Sequence, residues 1–277
     1  MKIQAFLPLV TYTDPNSDTV AANAAAVAAQ LGADLNVLAV NIAIPQVKNA
    51  LSRFLLDVPD MIRQAETGSR RHGERLVALV EAAAEAAGVA TTAAAIVETQ
   101  PLLAATAALH ARYHDLVLLG LETDNPTSHA TAESMVFGSG RPVLLMPEAM
   151  ETGAFDHVAI AWDGSRVAAR AAADARPFIE RARKVSVMTV ADEKELVVED
   201  GERLAASLRR GGVEAEAVVL YGKGAPVAKT LQDGAREHGC GLIAMGGYGH
   251  SRVRDFVMGG ATEGVLKTLS LPVMLSH

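Results

Sequence analysis

The 277 residues include a single cysteine, Cys240. One thiol cannot close an intramolecular disulfide, so nothing in the chain calls for an oxidising compartment. Cys240 stands just before an apolar run and reads as a small buried hydrophobe. Aromatics make up only 4% of the chain although 50% is hydrophobic, so the core must be aliphatic and rich in alanine. No run of about 18 apolar residues occurs, which excludes a helical membrane span. The apolar stretch 3–10 follows one lysine and lacks a convincing cleavage site, so it reads as a first strand rather than a secretory leader. A cytoplasmic protein is the simplest expectation. Positive charge is also in deficit: 25 Lys and Arg face 32 Asp and Glu, a net charge of −7. A nucleic-acid surface needs a basic face, so no nucleic-acid partner is expected. The short basic clusters Arg70-Arg71 and Arg181-Ala182-Arg183-Lys184 read as solvated helix ends. Eight histidines are present, but no pair has the helical spacing of metal ligands, so no metal site made by side chains alone is expected.

What the chain does have is alternation. Apolar runs of strand length trade places with alanine-rich helical stretches. The pattern predicts strands at 2–10, 35–42, 90–97, 116–119 and 142–146, and helices at 17–32, 59–87, 101–113 and 129–139. Gly32 and Gly88 stand where helices stop, and Pro101 where one starts. Residues 43–60 read as an irregular connection with a short helix around 48–56, and 124–128 as a loop. After a linker at 148–156 the order begins again. Strands are expected at 157–162, 185–190, 213–221, 242–245 and 272–275, and helices at 166–179, 194–210, 225–238 and 260–269.

The two halves end alike, Arg141-Pro142-Val143-Leu144-Leu145 against Leu271-Pro272-Val273-Met274-Leu275, with Glu133 and Glu263 equally placed before them. Strands that alternate with helices imply a parallel sheet covered on both faces. The expected architecture is therefore α/β: two tandem, open, parallel five-stranded sheets, spanning 1–147 and 157–277. The two last strands are expected to pair with each other.

The most informative stretch is Met245-Gly246-Gly247-Tyr248-Gly249, continuing to Met258-Gly259-Gly260-Ala261-Thr262. Its glycines stand where an apolar strand hands over to a helix. Glycine lets a backbone come close to an anion, and a helix N-terminus presents free N–H groups and a positive dipole end. The same pattern also serves a plain turn before a helix. In open α/β sheets ligands bind beyond the carboxyl ends of the strands, where the strand order reverses. Asp163-Gly164-Ser165, Val190-Ala191-Asp192 and the glycine loop all end on that edge, which points to a nucleotide.

These residues resemble the universal stress protein family, and the whole chain resembles its tandem, two-domain form. The resemblance rests on Asp163-Gly164-Ser165 before an alanine-rich helix, Gly222-Lys223-Gly224-Ala225-Pro226 before the third helix, and the glycine loop ahead of a final Pro-Val strand. Nucleotide-binding members carry Gly, two residues, Gly, nine residues, Gly and then Ser or Thr. Here that reads Gly246, Gly249 and Gly259, followed by Gly260 in place of the hydroxyl residue.

The resemblance implies a Rossmann-like, adenine-nucleotide alpha hydrolase-like fold packed as an internal pseudo-dimer, and a site for ATP or AMP, with Mg²⁺ arriving on ATP. Asp163 would meet the adenosine moiety and the main chain at Val190 the adenine. Met245 and Gly246 would lie beside ribose and phosphates. Gly249, Gly259, Gly260 and Ala261 would offer backbone N–H groups, and Arg252 a compensating charge. A homodimer is a further implied partner.

The first half departs from this pattern: Gly120 is followed by Leu121-Glu122-Thr123, and Glu122 and Asp124 would repel phosphate. It is expected to be a degenerate copy that binds no nucleotide in this mode. The Gly222-Lys223-Gly224 triplet lacks the spacing of a P-loop. No general base or nucleophile stands out, so fast catalysis is not expected. A slow ATPase would have to use His250 or Arg252, and a nucleotide-free scaffold is the third reading.

Overall fold

The computed structural model describes residues 1–45, 57–150, 155–191, 198–247 and 260–277. Two compact units emerge, Met1–Ser139 and Gly140–His277.

In the first unit, β1 (Gln4–Val10) leads into α1 (Thr19–Leu31), β2 (Asp34–Ala43), α2 (Val58–Ala86), β3 (Thr91–Thr99), a 3₁₀ turn (Gln100–Leu102), α3 (Leu103–Ala111), β4 (Leu116–Leu121) and α4 (Pro126–Gly138). Its strands lie in the order β3-β2-β1-β4, with each neighbouring pair parallel. α1 is buried along much of its length, which suits its run of alanines. It ends as expected at Gly32, whose φ of +61° places it in the left-handed region. α2 buries Ser69, Gly73, Leu76, Val80 and Ala84, spaced by three and four residues, so one stripe faces the sheet and the rest is solvated.

The second unit opens with β5 (Val143–Pro147). It continues through β6 (His157–Ala161), α5 (Arg166–Asp174), α6 (Arg176–Ile179), β7 (Lys184–Val190), α7 (Val198–Arg210), β8 (Ala215–Leu220), α8 (Val227–Glu237), β9 (Leu242–Gly246), α9 (Gly260–Lys267) and β10 (Val273–Ser276). The strand order is β5-β10-β9-β6-β7-β8. β10, β9, β6, β7 and β8 run parallel, while β5 joins β10 antiparallel with Val273 opposite Leu145 and Leu275 opposite Val143. The expected partnership of the two Pro-Val strands is therefore present. It lies inside the second unit, which carries six strands where the sequence suggests five.

Helices cover both faces of this sheet. A side chain at Gly246 would collide with Val167 of α5, whereas Leu220 of β8 packs against Gly234 of α8. Strand register carries the face of Gly246 to Ala244 and Ile160, and the face of Leu220 to Val190, Met188 and Ala161. Residues alternate between faces along a strand, so α5 and α8 lie on opposite sides.

Three local expectations need correction. The helix expected at 166–179 is split into α5 and α6, because Pro177 has no N–H to continue the ladder. The loop expected at 124–128 is mostly helix. Asn125 caps α4 by accepting from the N–H groups of Thr127 and Ser128, each at 3.0 Å, with Pro126 in the first turn. α9 ends at Lys267, two residues earlier than expected. The short helix expected around 48–56 lies outside the described residues.

Candidate functional site

The chain of the second unit moves outward from β6 to β7 and β8, then returns to the other side of β6 with β9 and β10. The strand order therefore reverses between β6 and β9. Their pairing covers only three residues of each strand, Val158–Ile160 against Leu242–Ala244, while β6 and β7 pair over five. Beyond the short ladder the two carboxyl ends are free of each other, and a crevice can form there.

Asp163, Val190, Met245 and Gly246 all stand at this carboxyl edge. α9 runs from β9 back to β10, so its first residues, Gly260 and Ala261, start from the same edge. By alternation Val190 and Met245 share the face that α8 covers, and α9 packs against α8 where Gly264 meets Ala228. The glycine-loop residues Gly249, Arg252 and Gly259, together with His250 and Asp192, lie outside the described residues.

Asp163 is exposed two residues past β6. One carboxylate oxygen, Oδ1, accepts from the Ser165 N–H at 3.0 Å, closing a tight turn around Gly164. Ser165 then caps α5 by accepting from the Ala168 N–H at 3.2 Å. The carboxylate thus supports a turn at the exposed carboxyl edge.

Gly246 has a packing role that the loop pattern does not reveal. A Cβ there would stand 2.6 Å from Val167 Cγ2, 2.7 Å from the Val167 carbonyl carbon and 2.8 Å from the Ala168 nitrogen. The start of α5 crosses β9 at this glycine, and only hydrogen fits. The next residue is held on both sides: the Gly247 N–H donates to the Ser276 carbonyl at 2.7 Å, and His277 Nδ1 lies 3.0 Å from the Gly247 carbonyl. The base of the glycine loop is therefore tied to the end of β10. Gly260 is exposed, and no atom of the described residues lies within 4 Å of where its Cβ would sit. Glu263, in the first turn of α9, is an unfavourable charge for a bound anion, but Lys267 pairs with it at 2.5 Å.

Among the described residues this edge brings together the exposed Asp163 carboxylate, the end of β9 and the first turn of α9. Among the described residues no cluster of three His, Cys, Asp or Glu side chains suits a metal ion. Two orphaned polar atoms were not singled out from sequence, Trp162 Nε1 and Thr189 Oγ1, both buried without a partner. Thr189 faces Gly201 of α7, so both groups belong to the α5–α7 side of the sheet, away from Met245 and Val190. The single tryptophan next to Asp163 was the available signal.

The first unit has the corresponding crevice between β1 and β4, whose ladder spans only Ala5–Phe6 against Leu116–Val117. Its edge is occupied by the protein itself. Glu122 accepts from Asn16 Nδ2 and from the Ser17 N–H, each at 3.0 Å, while Asn16 Oδ1 accepts from the Val10 N–H at 2.8 Å. A carboxylate of the chain sits where α1 begins, the kind of position a bound anion would favour.

At the opposite end of the second sheet lies a different polar cluster. His157 Nε2 is 2.8 Å from Ser186 Oγ, Ser186 donates to Glu216 Oε1 at 2.9 Å, and Lys184 pairs with Glu216 Oε2 at 2.9 Å. Burial, reinforced by the Lys184 ammonium, holds the His157 imidazole below its ordinary pKa. Burial also pushes the Cys240 thiol up to about 11, in keeping with an inert, buried cysteine.

The sequence profile of the universal stress protein family matches residues 154–277. The second unit is a universal stress protein domain. Over the whole chain the fold is similar to that of a universal stress protein from Archaeoglobus fulgidus DSM 4304, at 17% identity, 99% coverage of this chain and 97% of that one, with a TM-score of 0.74. It is also similar to a functionally unknown protein from Pseudomonas aeruginosa PAO1, at 15% identity, 99% and 92% coverage, and a TM-score of 0.55. No curated protein matches the chain. At these identities the structural likeness speaks for the fold alone, a parallel-dominated α/β architecture. No helix among the described residues is long and apolar enough to cross a membrane.

Proposed function

We propose that the universal stress protein domain binds an adenine nucleotide, ATP or AMP, and that the chain works in the stress response as a nucleotide-dependent regulatory module. The observation that carries this reading is the reversal of strand order between β6 and β9, with Asp163 on one side and the glycine-rich end of β9 on the other. Asp163 would accept from the adenine amine or a ribose hydroxyl, and the Val190 main chain would flank the base. Met245 and Gly246 would border the ribose. Gly260 and Ala261 would turn backbone N–H groups to phosphate, joined by Gly249, Gly259 and Arg252 from the loop. Mg²⁺ would enter with ATP, held by its phosphates rather than by a protein cage.

The test is calorimetric titration of the full chain with ATP and AMP, with and without Mg²⁺, preceded by the 260/280 nm absorbance ratio of purified protein and chromatography of any extracted ligand. Saturable heat is expected. Asp163→Ala should weaken binding about tenfold or more, the worth of a hydrogen bond to a charged group. Absence of heat at millimolar nucleotide, with no extractable ligand, would leave only the architecture.

A further inference from the structure

β3 is the outermost strand of the first unit, with β2 on one side and no strand on the other. Its register with β2 runs from Thr91 opposite Leu35 to Thr99 opposite Ala43, and the Leu35 N–H donates to the Ala90 carbonyl at 2.9 Å. In a parallel ladder that bond decides which residues face inward. Thr92, Ala94, Ile96 and Glu98 turn their backbone groups to β2, and the residues between them turn theirs to the open side. Among the described residues no hydrogen bond reaches the N–H or the carbonyl of Ala93, Ala95 or Val97. Natural edge strands are blunted by charges, prolines or covering segments. Ala93-Ala94-Ala95-Ile96-Val97 has neither charge nor proline, its alanines are exposed, and Val97 keeps 59% of its surface. The outermost strand of the second unit is treated differently. Ala215 of β8 turns its carbonyl outward, and Arg209 Nη1 donates to it at 2.9 Å.

We propose that β3 pairs antiparallel with β3 of a second copy of the chain, about a two-fold axis through Ala95. Only residues with outward groups can bond across such a seam, so few registers exist. Centred on Ala95, Ala95 meets its own copy and Ala93 meets Val97 of the other copy, each pair exchanging two hydrogen bonds. Side chains agree with that register: Ala93 packs beside Val97 on one face and Ala94 beside Ile96 on the other, small against large. Glu98 then faces Thr92, so no like charges meet. The neighbouring registers fail. A centre at Val97 would set Ala95 against Thr99, whose N–H already donates to Glu98 Oε1 at 2.7 Å, and would set Glu98 against Ile96. A centre at Ala93 would carry Val97 to Val89, which precedes the strand. The edge therefore matches itself residue for residue, and the two-fold closes the contact at a dimer rather than a fibre. The ladder is short, so association should be reversible and concentration-dependent.

Sedimentation velocity of the full chain, from about 1 to 300 µM, should show a monomer–dimer equilibrium. Hydrogen exchange reads the register: the amides of Ala93, Ala95 and Val97 should slow as concentration rises, while those of Ala94 and Ile96, already bonded to β2, should not change. Ala95→Lys sets two ammonium groups against each other at the axis and should raise the dissociation constant about tenfold or more. Ala95→Pro removes an outward N–H that β2 does not use and should act alike. Melting temperatures at the lowest concentration show that each variant is folded, and either one keeps the test valid should the other be strained. Tyr113→Ser, at an exposed aromatic residue outside the seam, should leave the equilibrium unchanged. A chain that stays monomeric, a dimer indifferent to the Ala95 substitutions, or exchange at Ala93, Ala95 and Val97 that ignores concentration would overturn the proposal. Nucleotide binding is a separate measurement, and its failure would leave this result untouched.

Discussion

The two crevices of this chain start from one plan and end with opposite chemistry. The strand order reverses beside β1 in the first unit and beside β6 in the second, the ladder across each reversal is short, and a glycine in β4 or β9 lets α1 or α5 cross. Gly120 receives Val20 of α1 as Gly246 receives Val167 of α5. The glycine that looks like part of a phosphate motif is thus shared by the unit whose sequence lacks the rest of that motif. Its first duty is packing. What separates the units is the next few residues. In the first, Glu122 folds back onto Asn16 and the start of α1, so the chain supplies its own carboxylate. In the second, Asp163 stays exposed, and no described residue crowds Gly260 at the start of α9. The lesson is that glycine at a switch point marks the crossing of helix and strand in both units, while the charge beside it differs between them.

Breaking the shared frame should cost most. Val273→Asp with Leu275→Asp places two carboxylates in the fully buried β10, between β5 and β9. About 5 kcal/mol or more should be lost, enough to unfold the second unit. Chemical denaturation followed at Trp162 checks this, and an unchanged midpoint would refute the role given to the β5–β10 pair. Next come the two crossing glycines. Gly246→Ala meets backbone atoms of α5 and should cost about 2–3 kcal/mol, whereas Gly120→Ala meets chiefly the Val20 side chain, 2.9 Å away, and should cost about 1 kcal/mol. Equal costs would mean that the two crossings are alike in tightness.

The carboxylates sharpen the contrast further. Glu122→Ala strands the Asn16 amide and the Ser17 N–H, an expected loss of about 1–2 kcal/mol. Asp163→Ala removes an exposed group and should shift stability by less than about 0.5 kcal/mol, so its effect should be on nucleotide affinity instead. Thermal melts of both variants, beside calorimetry of the second, separate the roles.

The smallest effect is a pH dependence of the second unit. His157 has its folded pKa below the ordinary value of 6.5, so the unfolded chain binds the proton more readily. Its contribution is complete above pH 6.5 and is lost as the pH falls toward the folded value. Burial alone would raise the pKa of Glu216, but its bonds to Lys184 and Ser186 outweigh that and hold it below 4.5, so its own loss comes at more acid pH. The urea midpoint should therefore fall slightly between pH 7.5 and 5.5, and His157→Gln should flatten that fall. A midpoint that rises on acidification would reverse the assigned direction.

Much of the architecture was legible because it rests on local chemistry. The alternation of β-branched runs with alanine-rich stretches, the stop at Gly32 and the entry of α8 through Pro226 need only near neighbours in sequence. Two errors were local too: Asn125-Pro126 is a helix start, and Pro177 a break, by rules that concern single residues. The site was legible only in outline. The pattern picks out Asp163 and the glycines, but Gly246 is shaped by a helix almost eighty residues before it, and Glu122 by Asn16 across 106 positions. Such partners lie beyond any local window.

By itself, then, the sequence determined the order of strands and helices, their approximate limits, the aliphatic core and the loss of the glycine pattern in the first half. These follow from periodicity, turn chemistry and charge, which act between neighbours along the chain. Tertiary structure alone decided that β5 belongs with β10, that the order reverses at β6, that Gly246 makes room for α5, and that Glu122 folds onto Asn16 at the edge of the first unit. Each of these depends on which distant atoms compete for the same space, and that competition exists only once the strands have chosen their neighbours.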